Sequence, residues 1–134
     1  ALRAPGSGDI TATHIAWKNK RGVAPVASPL FYRGRIYAVQ DGGRVTAYSQ
    51  KTGDPLFEQE RLNADGEYYA SPIAANGHVF FASTRGVVTV IAAADALEVR
   101  ARNGIGERIQ ATPAIVEDKL YVRTESHLWV FGEK

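Results

Sequence analysis

Ala27-Ser28-Pro29, Ala70-Ser71-Pro72 and Ala111-Thr112-Pro113 open three stretches that align from end to end. The first continues through Arg35-Ile36-Tyr37 to Val45-Thr46-Ala47-Tyr48 and the second through His78-Val79-Phe80 to Val88-Thr89-Val90-Ile91. The third runs through Lys119-Leu120-Tyr121 to Leu128-Trp129-Val130-Phe131. The prolines stand 43 and 41 residues apart. Repeats of roughly 40–45 residues are those of four-stranded propeller blades, whereas helix-pair repeats recur at about 33–34.

The chemistry within each unit is that of strands. A proline at the start of a strand interrupts no ladder, because the N–H it lacks is not needed there. A short apolar run and a polar turn follow: Tyr32-Arg33-Gly34, Ala75-Asn76-Gly77 and Glu117-Asp118. Such turns predict a first hairpin. Second strands are expected at 35–40, 79–84 and 120–124, rich in β-branched and aromatic residues, and they end at Asp41-Gly42-Gly43, Arg85-Gly86 and Glu125-Ser126. Third strands follow at once. Charged outer strands are expected at 55–61 and 96–101, with 102–106 as a loop. Tyr37, Phe80 and Tyr121 share one repeat position and are assigned to the core.

The fold class is therefore all-β, a single partial β-propeller over 1–134 built from three four-stranded antiparallel repeats. Blade one covers about 26–62, blade two about 69–102 and blade three about 110–132. Residues 14–20 (His14-Ile15-Ala16-Trp17-Lys18-Asn19-Lys20) read as a leading outer strand without its own blade, and blade three stops without one. That makes twelve strands, offset by one. Propellers close with about four blades or more, so three leave raw sheet faces at both ends. Two completions are open: further blades of a longer parent chain, or self-association in which the leading strand completes blade three of another copy, two chains making a six-bladed ring.

Composition narrows the function classes. Of 134 residues 45% are hydrophobic, and 16 Lys and Arg against 14 Asp and Glu leave a formal charge of +2, the balance of an ordinary globular chain. Only Lys18, Lys20 and Arg21 cluster, so nucleic acid is not an expected partner. The absence of cysteine excludes disulfides and thiol nucleophiles in this chain. Apolar stretches such as 87–94 are too short to cross a bilayer, so no membrane insertion is expected. The stretch 1–5 has no apolar core of signal-peptide length.

The pattern Ser-Pro, then Gly34-Arg35-Ile36-Tyr37, then Gly43-Arg44-Val45-Thr46-Ala47-Tyr48, then Lys51-Thr52-Gly53 resembles the bacterial pyrroloquinoline-quinone-like propeller repeat proteins. The likeness spans nearly the whole chain, and Gly8-Asp9-Ile10-Thr11, Ile15-Ala16-Trp17 and residues 121–128 look like the C-terminal portion of the longer secreted members. The resemblance implies a ring of seven or eight blades, an extracytoplasmic location, and membership of a group in which many proteins bind no quinone. Its enzymes carry a tryptophan-docking motif, Ala-x-Asp-x-x-Thr-Gly-x-x-x-Trp. Ala47, Thr52 and Gly53 fit that pattern, but Ser49 stands at the Asp and Phe57 at the Trp. Quinone enzymes also need a calcium site, a catalytic Asp and a vicinal Cys pair. Here Asp9, Asp41, Asp54, Asp65, Asp95 and Asp118 fall singly in turns and linkers.

No catalytic, cofactor-binding or metal-ligating residue is nominated, and no cofactor is expected. His14, His78 and His127 are scattered, and a shared zinc site is not expected. Ser28, Ser71 and Thr112 recur at one repeat position, which marks strand starts and not nucleophiles. Gly42-Gly43 precedes no helix and is a hairpin turn. Candidates for partner binding are Trp17, Arg21, Tyr68, Tyr69, Arg108 and Arg123, residue types that dominate binding hot spots. Trp129 stands where the other units have Thr46 and Thr89, a position able to pack between blades. The expected function is a non-catalytic scaffold for protein, peptide or polysaccharide partners. The alternative is the C-terminal part of an extracytoplasmic quinoprotein-like dehydrogenase whose catalytic residues lie outside this chain. Outer-membrane assembly scaffolding is a third reading, by fold analogy alone.

Overall fold

The computed structural model describes residues 1–132, so Glu133 and Lys134 lie outside the described residues. Three antiparallel sheets stand in chain order. Blade one comprises β1 (Leu30–Tyr32), β2 (Arg35–Gln40), β3 (Arg44–Ser49) and β4 (Pro55–Arg61). Blade two comprises β5 (Ile73–Ala75), β6 (His78–Ala82), β7 (Val87–Ala92) and β8 (Val99–Gly104). Blade three comprises β9 (Ala114–Val116), β10 (Lys119–Arg123) and β11 (Leu128–Phe131).

Turn chemistry sets the registers. Arg33-Gly34 and Asn76-Gly77 both hold positive φ at their two central positions, the requirement of the tight turn whose twist matches flanking strands. Leu30 thereby faces Tyr37, and Ile73 faces Phe80. The third turn lacks glycine; there Glu117 takes φ 54°, and Ala114 still faces Tyr121.

Strand alternation gives each sheet two faces. Tyr37, Val39, Val45 and Ala47 of blade one pack with Val79, Phe81 and Ile91 of blade two in the larger core cluster. On the other face of blade two, Ala82 and Val88 meet Ile109 and Val122, with Phe80 and Leu120 partly buried beside them. The blades are also tied by hydroxyls. The Ser28 N–H donates to Ser71 Oγ at 2.9 Å, and the Ser71 N–H donates to Thr112 Oγ1 at 3.0 Å. The repeated Ser or Thr before proline is thus an inter-blade link, which explains its recurrence.

Three expectations are corrected. Residues 14–20 form no outer strand; Ile15 makes a single bridge to Leu2, and the described residues hold eleven strands. The segment instead climbs the free face of blade one. The Trp17 indole N–H donates to Gln50 O, the Tyr48 hydroxyl donates to Arg21 O, and the Gln40 amide donates to Val23 O. The outer strand of blade two runs Val99–Gly104, later than expected, and Arg102–Gly104 are strand and not loop. Thr89 pairs with Arg102, whose Nε donates to Leu62 O at 2.6 Å, while 93–96 are spent on the preceding turn. Of the three aromatics assigned to the core, Tyr37 is fully buried, but Phe80 and Tyr121 are half-buried. Phe80 borders an incompletely filled groove, and Tyr121 faces no further blade among the described residues.

Trp17 lies on Gly53, which has φ +77° and whose added Cβ would stand 2.6 Å from the indole Cγ. Gly53→Ala is therefore expected to cost about 1–3 kcal/mol through left-handed strain and displaced indole. Its tryptophan emission should shift to the red. Gly34→Ala, also at positive φ but facing open space, should cost stability with no such shift; chemical denaturation followed by fluorescence separates the two.

Candidate functional site

Chain direction places the β2–β3 turns and the connections between blades at one end of the stack, and the β1–β2 and β3–β4 turns at the other. The first end is built from Asp41 to Gly43, 62–69, Thr84 to Gly86, 105–112 and Thr124 to His127. Backbone bonds weld these loops together: Gly42 N–H to Gly66 O, Thr84 N–H to Glu67 O, Ile105 N–H to Gly86 O and Glu125 N–H to Arg108 O.

Beneath the loops lies a polar frame. Glu107 Oε2 accepts from the Thr124 hydroxyl at 2.6 Å and the Ser126 N–H at 3.2 Å, and Glu107 Oε1 meets His127 Nδ1 at 2.6 Å. The Thr124 hydroxyl bond, foremost, holds the Glu107 carboxyl below its usual range. The Trp129 indole donates to Thr124 Oγ1 at 3.2 Å, fastening β11 to the same frame. Glu107 thus stitches the blade two to three connection onto the β10–β11 turn.

The six nominated residues separate into three groups. Arg108 and Arg123 are exposed and line one cavity of about 360 Å3 with Gln110 and Glu125. Tyr69 is half-buried at the same end; its hydroxyl is held above the usual phenol range chiefly by its hydrogen bond to Glu67, with Arg108 near enough to act against that. Trp17 and Arg21 lie apart, on the free face of blade one, where a cavity of about 360 Å3 separates the climbing segment from Ile36, Ala38 and Tyr48. Tyr68 is corrected to a core residue. It is 1% exposed, its hydroxyl donates to Ala64 O at 2.7 Å, and its N–H donates to Asp41 Oδ1 at 2.9 Å.

Sequence reasoning missed Arg85 and Glu107. Arg85 lines an adjoining cavity of about 480 Å3 with Glu67, Thr84 and Arg108. Its place at a hairpin tip, on the same end of the repeat as Arg108, was the available signal. Glu107 could not be found so, since its partners are 17–20 residues away and set only by the fold.

The histidines do not converge. His14 contacts Thr13 and Pro5 O, His78 contacts Asn76 O, and His127 contacts Glu107. Among the described residues no three His, Cys, Asp or Glu side chains are grouped to hold a metal. Asp9 accepts from the Thr11 N–H, a local turn contact, and Asp95 pairs with Arg35 of blade one across the two blades, a structural use in each case. Among the described residues no helix is long and apolar enough to cross a membrane.

Burial, more than the nearby Asp65 charge, pushes the Tyr68 phenol up to about 12 from its usual 10. A raised phenol favours the protonated folded state, so its contribution is complete below pH 10 and is lost as pH climbs to 12. At about 1.4 kcal/mol per unit, Tyr68 accounts for about 2–3 kcal/mol of alkaline destabilisation. Urea midpoints of wild type should fall between pH 10 and 12. Tyr68→Phe should start lower, through its lost hydrogen bond, and decline less steeply; parallel curves would contradict this assignment.

The comparisons agree with this architecture. A family model described as outer membrane protein assembly factor BamB matches residues 9–131. No curated protein matches the chain. Among solved structures, BamB from Moraxella catarrhalis superposes with TM-score 0.64 at 15% identity, over 80% of this chain and 32% of that one. The computationally designed proteins Ika4 and Ika8 each superpose with TM-score 0.61 at 14% identity over 78% of this chain, covering 63% and 32% of their own. At these identities the structures share the fold, and the chain spans about a third of the BamB chain's length. With the family model matched across nearly its whole length, this chain belongs to the BamB-like family of pyrroloquinoline-quinone-like β-propeller repeats.

Proposed function

We propose that the chain is a non-catalytic propeller module that presents its loop end to a partner protein, working outside the cytoplasm as part of a completed ring. The observation that carries this reading is the use made of the shifted titratable groups. Tyr68 and Glu107 are committed to holding loops in place, and what remains outward at that end is a rigid polar groove. Membership of a family described by outer membrane protein assembly supports both the scaffold role and the extracytoplasmic location.

Completion of the ring follows from blade three. β4 and β8 carry Glu58, Glu60 and Arg61, and Arg100 and Arg102, charges that discourage an outer edge from pairing. β11, Leu128-Trp129-Val130-Phe131, carries none, and all four residues are exposed. In blade two, Leu97 and Val99 fill the outer part of the interface with blade one. The matching space under β11 is an open groove of about 390 Å3, lined by Phe80, Val88, Val90, Leu120, Trp129 and Phe131 among others. A fourth strand, from a neighbouring copy or from further blades, suits both the edge and the groove.

Light scattering during size exclusion tests this assembly. The chain should self-associate as concentration rises, and Val130→Glu, placing charge on the exposed edge strand, should shift it towards monomer. A monodisperse monomer at all concentrations would contradict completion by a second copy and leave the fourth strand to further blades. The second reading, part of a quinoprotein-like dehydrogenase, draws on the Ala47, Thr52 and Gly53 match, in which Gly53 seats the Trp17 indole. Titration with pyrroloquinoline quinone and calcium should give no saturable absorbance change; stoichiometric binding would favour the dehydrogenase.

A further inference from the structure

We infer that the loop end of blades two and three is an anion-recognition groove that takes an acidic peptide segment of the partner. The inference rests on the scaffold reading and gives its surface a chemistry. Two adjoining cavities, of about 360 and 480 Å3, meet at Arg108, which lines both. Arg123 stands on one side and Arg85 on the other. All three arginines are exposed. They come from three separate turns: the β6–β7 hairpin, the connection between blades, and the end of β10.

Among the described residues these arginines pair with no carboxylate. Among the described residues the ion pairs are Arg35–Asp95, Arg100–Glu98 and His127–Glu107, none of which includes them. Two of the neighbouring acids are engaged elsewhere. Glu107 is held by Thr124, Ser126 and His127, and Asp41 accepts the Tyr68 N–H. Glu125 is left at the rim. Three exposed arginines on loops bonded to one another, against the two groove acids Glu67 and Glu125, leave a net positive field that an incoming carboxylate relieves. Guanidinium forks match carboxylates in two-bonded geometry, which gives direction as well as charge.

The class of partner follows from what the groove lacks. No aromatic ring lines either cavity. Single-stranded nucleic acid is held by stacking bases on aromatic side chains, and sugar rings are likewise held against exposed aromatic faces. The exposed aromatics Phe31, Trp129 and Phe131 lie elsewhere, the last two in the apolar groove under β11. Gln110 adds an amide that can bond a peptide backbone beside its acidic side chains.

The test is fluorescence anisotropy with labelled hexaglutamate, hexaglutamine and a hexameric uronate of equal charge, on the full chain. Hexaglutamate should bind, more weakly as salt rises, and hexaglutamine should not. Arg108→Ala and Arg123→Ala should each weaken binding about five-fold, the upper range for an exposed ion pair, and the double variant further. Arg100→Ala, whose partner Glu98 lies outside the groove, should bind as wild type, with circular dichroism confirming that every variant is folded. Equal affinity of wild type and the Arg108 and Arg123 variants would overturn the proposal, and tighter binding of the uronate would overturn its peptide class. Neither result bears on ring completion, which the mass measurement reads through β11 alone.

Discussion

Everything in this molecule depends on sheets that must be covered on both faces. A strand that alternates Tyr37 and Val39 with Ile36 and Ala38 has no polar side to turn to water. One blade therefore cannot stand alone, and it is stabilised only by a neighbour against each face. Face-to-face packing of apolar side chains supplies the attraction, which is non-directional. The Ser28, Ser71 and Thr112 links add direction, fixing how far one blade rotates upon the next. The N–H groups of Ser28 and Ser71, just ahead of the strands, are satisfied by the same hydroxyls, so packing and hydrogen bonding demand one arrangement.

The loop end inherits its rigidity from this stacking. Connections between blades are short and bonded to the turns they cross, and the one long side-chain frame, around Glu107 and Thr124, joins blade three to the connection before it. Rigid loops lose little freedom on binding, which suits the scaffold role proposed for this end. The arginines there are positioned by backbone welded below them, and their side chains are left outward.

Much of the fold was legible because it repeats. Proline spacing, Gly-containing turns and aromatic positions recur, and each recurrence checks the last, so ten of the strands could be placed near their observed bounds from Ser-Pro starts and turn residues alone. The remaining one, β8, was placed three residues too early, at 96–101, because Ala96-Leu97-Glu98 continue the alternation of the strand they precede. Residues 14–20 were misread because an apolar alternation around Trp17 fits a packed segment as well as a paired strand, and only the partner decides. The candidate site was half legible. Residue type nominated Arg108 and Arg123, but it could not tell that Tyr68 turns inward to Ala64 O or that Tyr69 does not follow it. Those outcomes rest on contacts between blades that no single repeat contains.

The most direct test of the central claim is native-state hydrogen exchange at the amides of Ser28 and Ser71. Neither residue lies in a strand, so local structure alone gives their N–H groups no protection. The account predicts that both exchange as slowly as strand amides at Tyr37 and Val79, because opening them requires separating the blades. Exchange at the rate of open loops would contradict it, and would mean that the blades are held by apolar packing without the hydroxyl ladder.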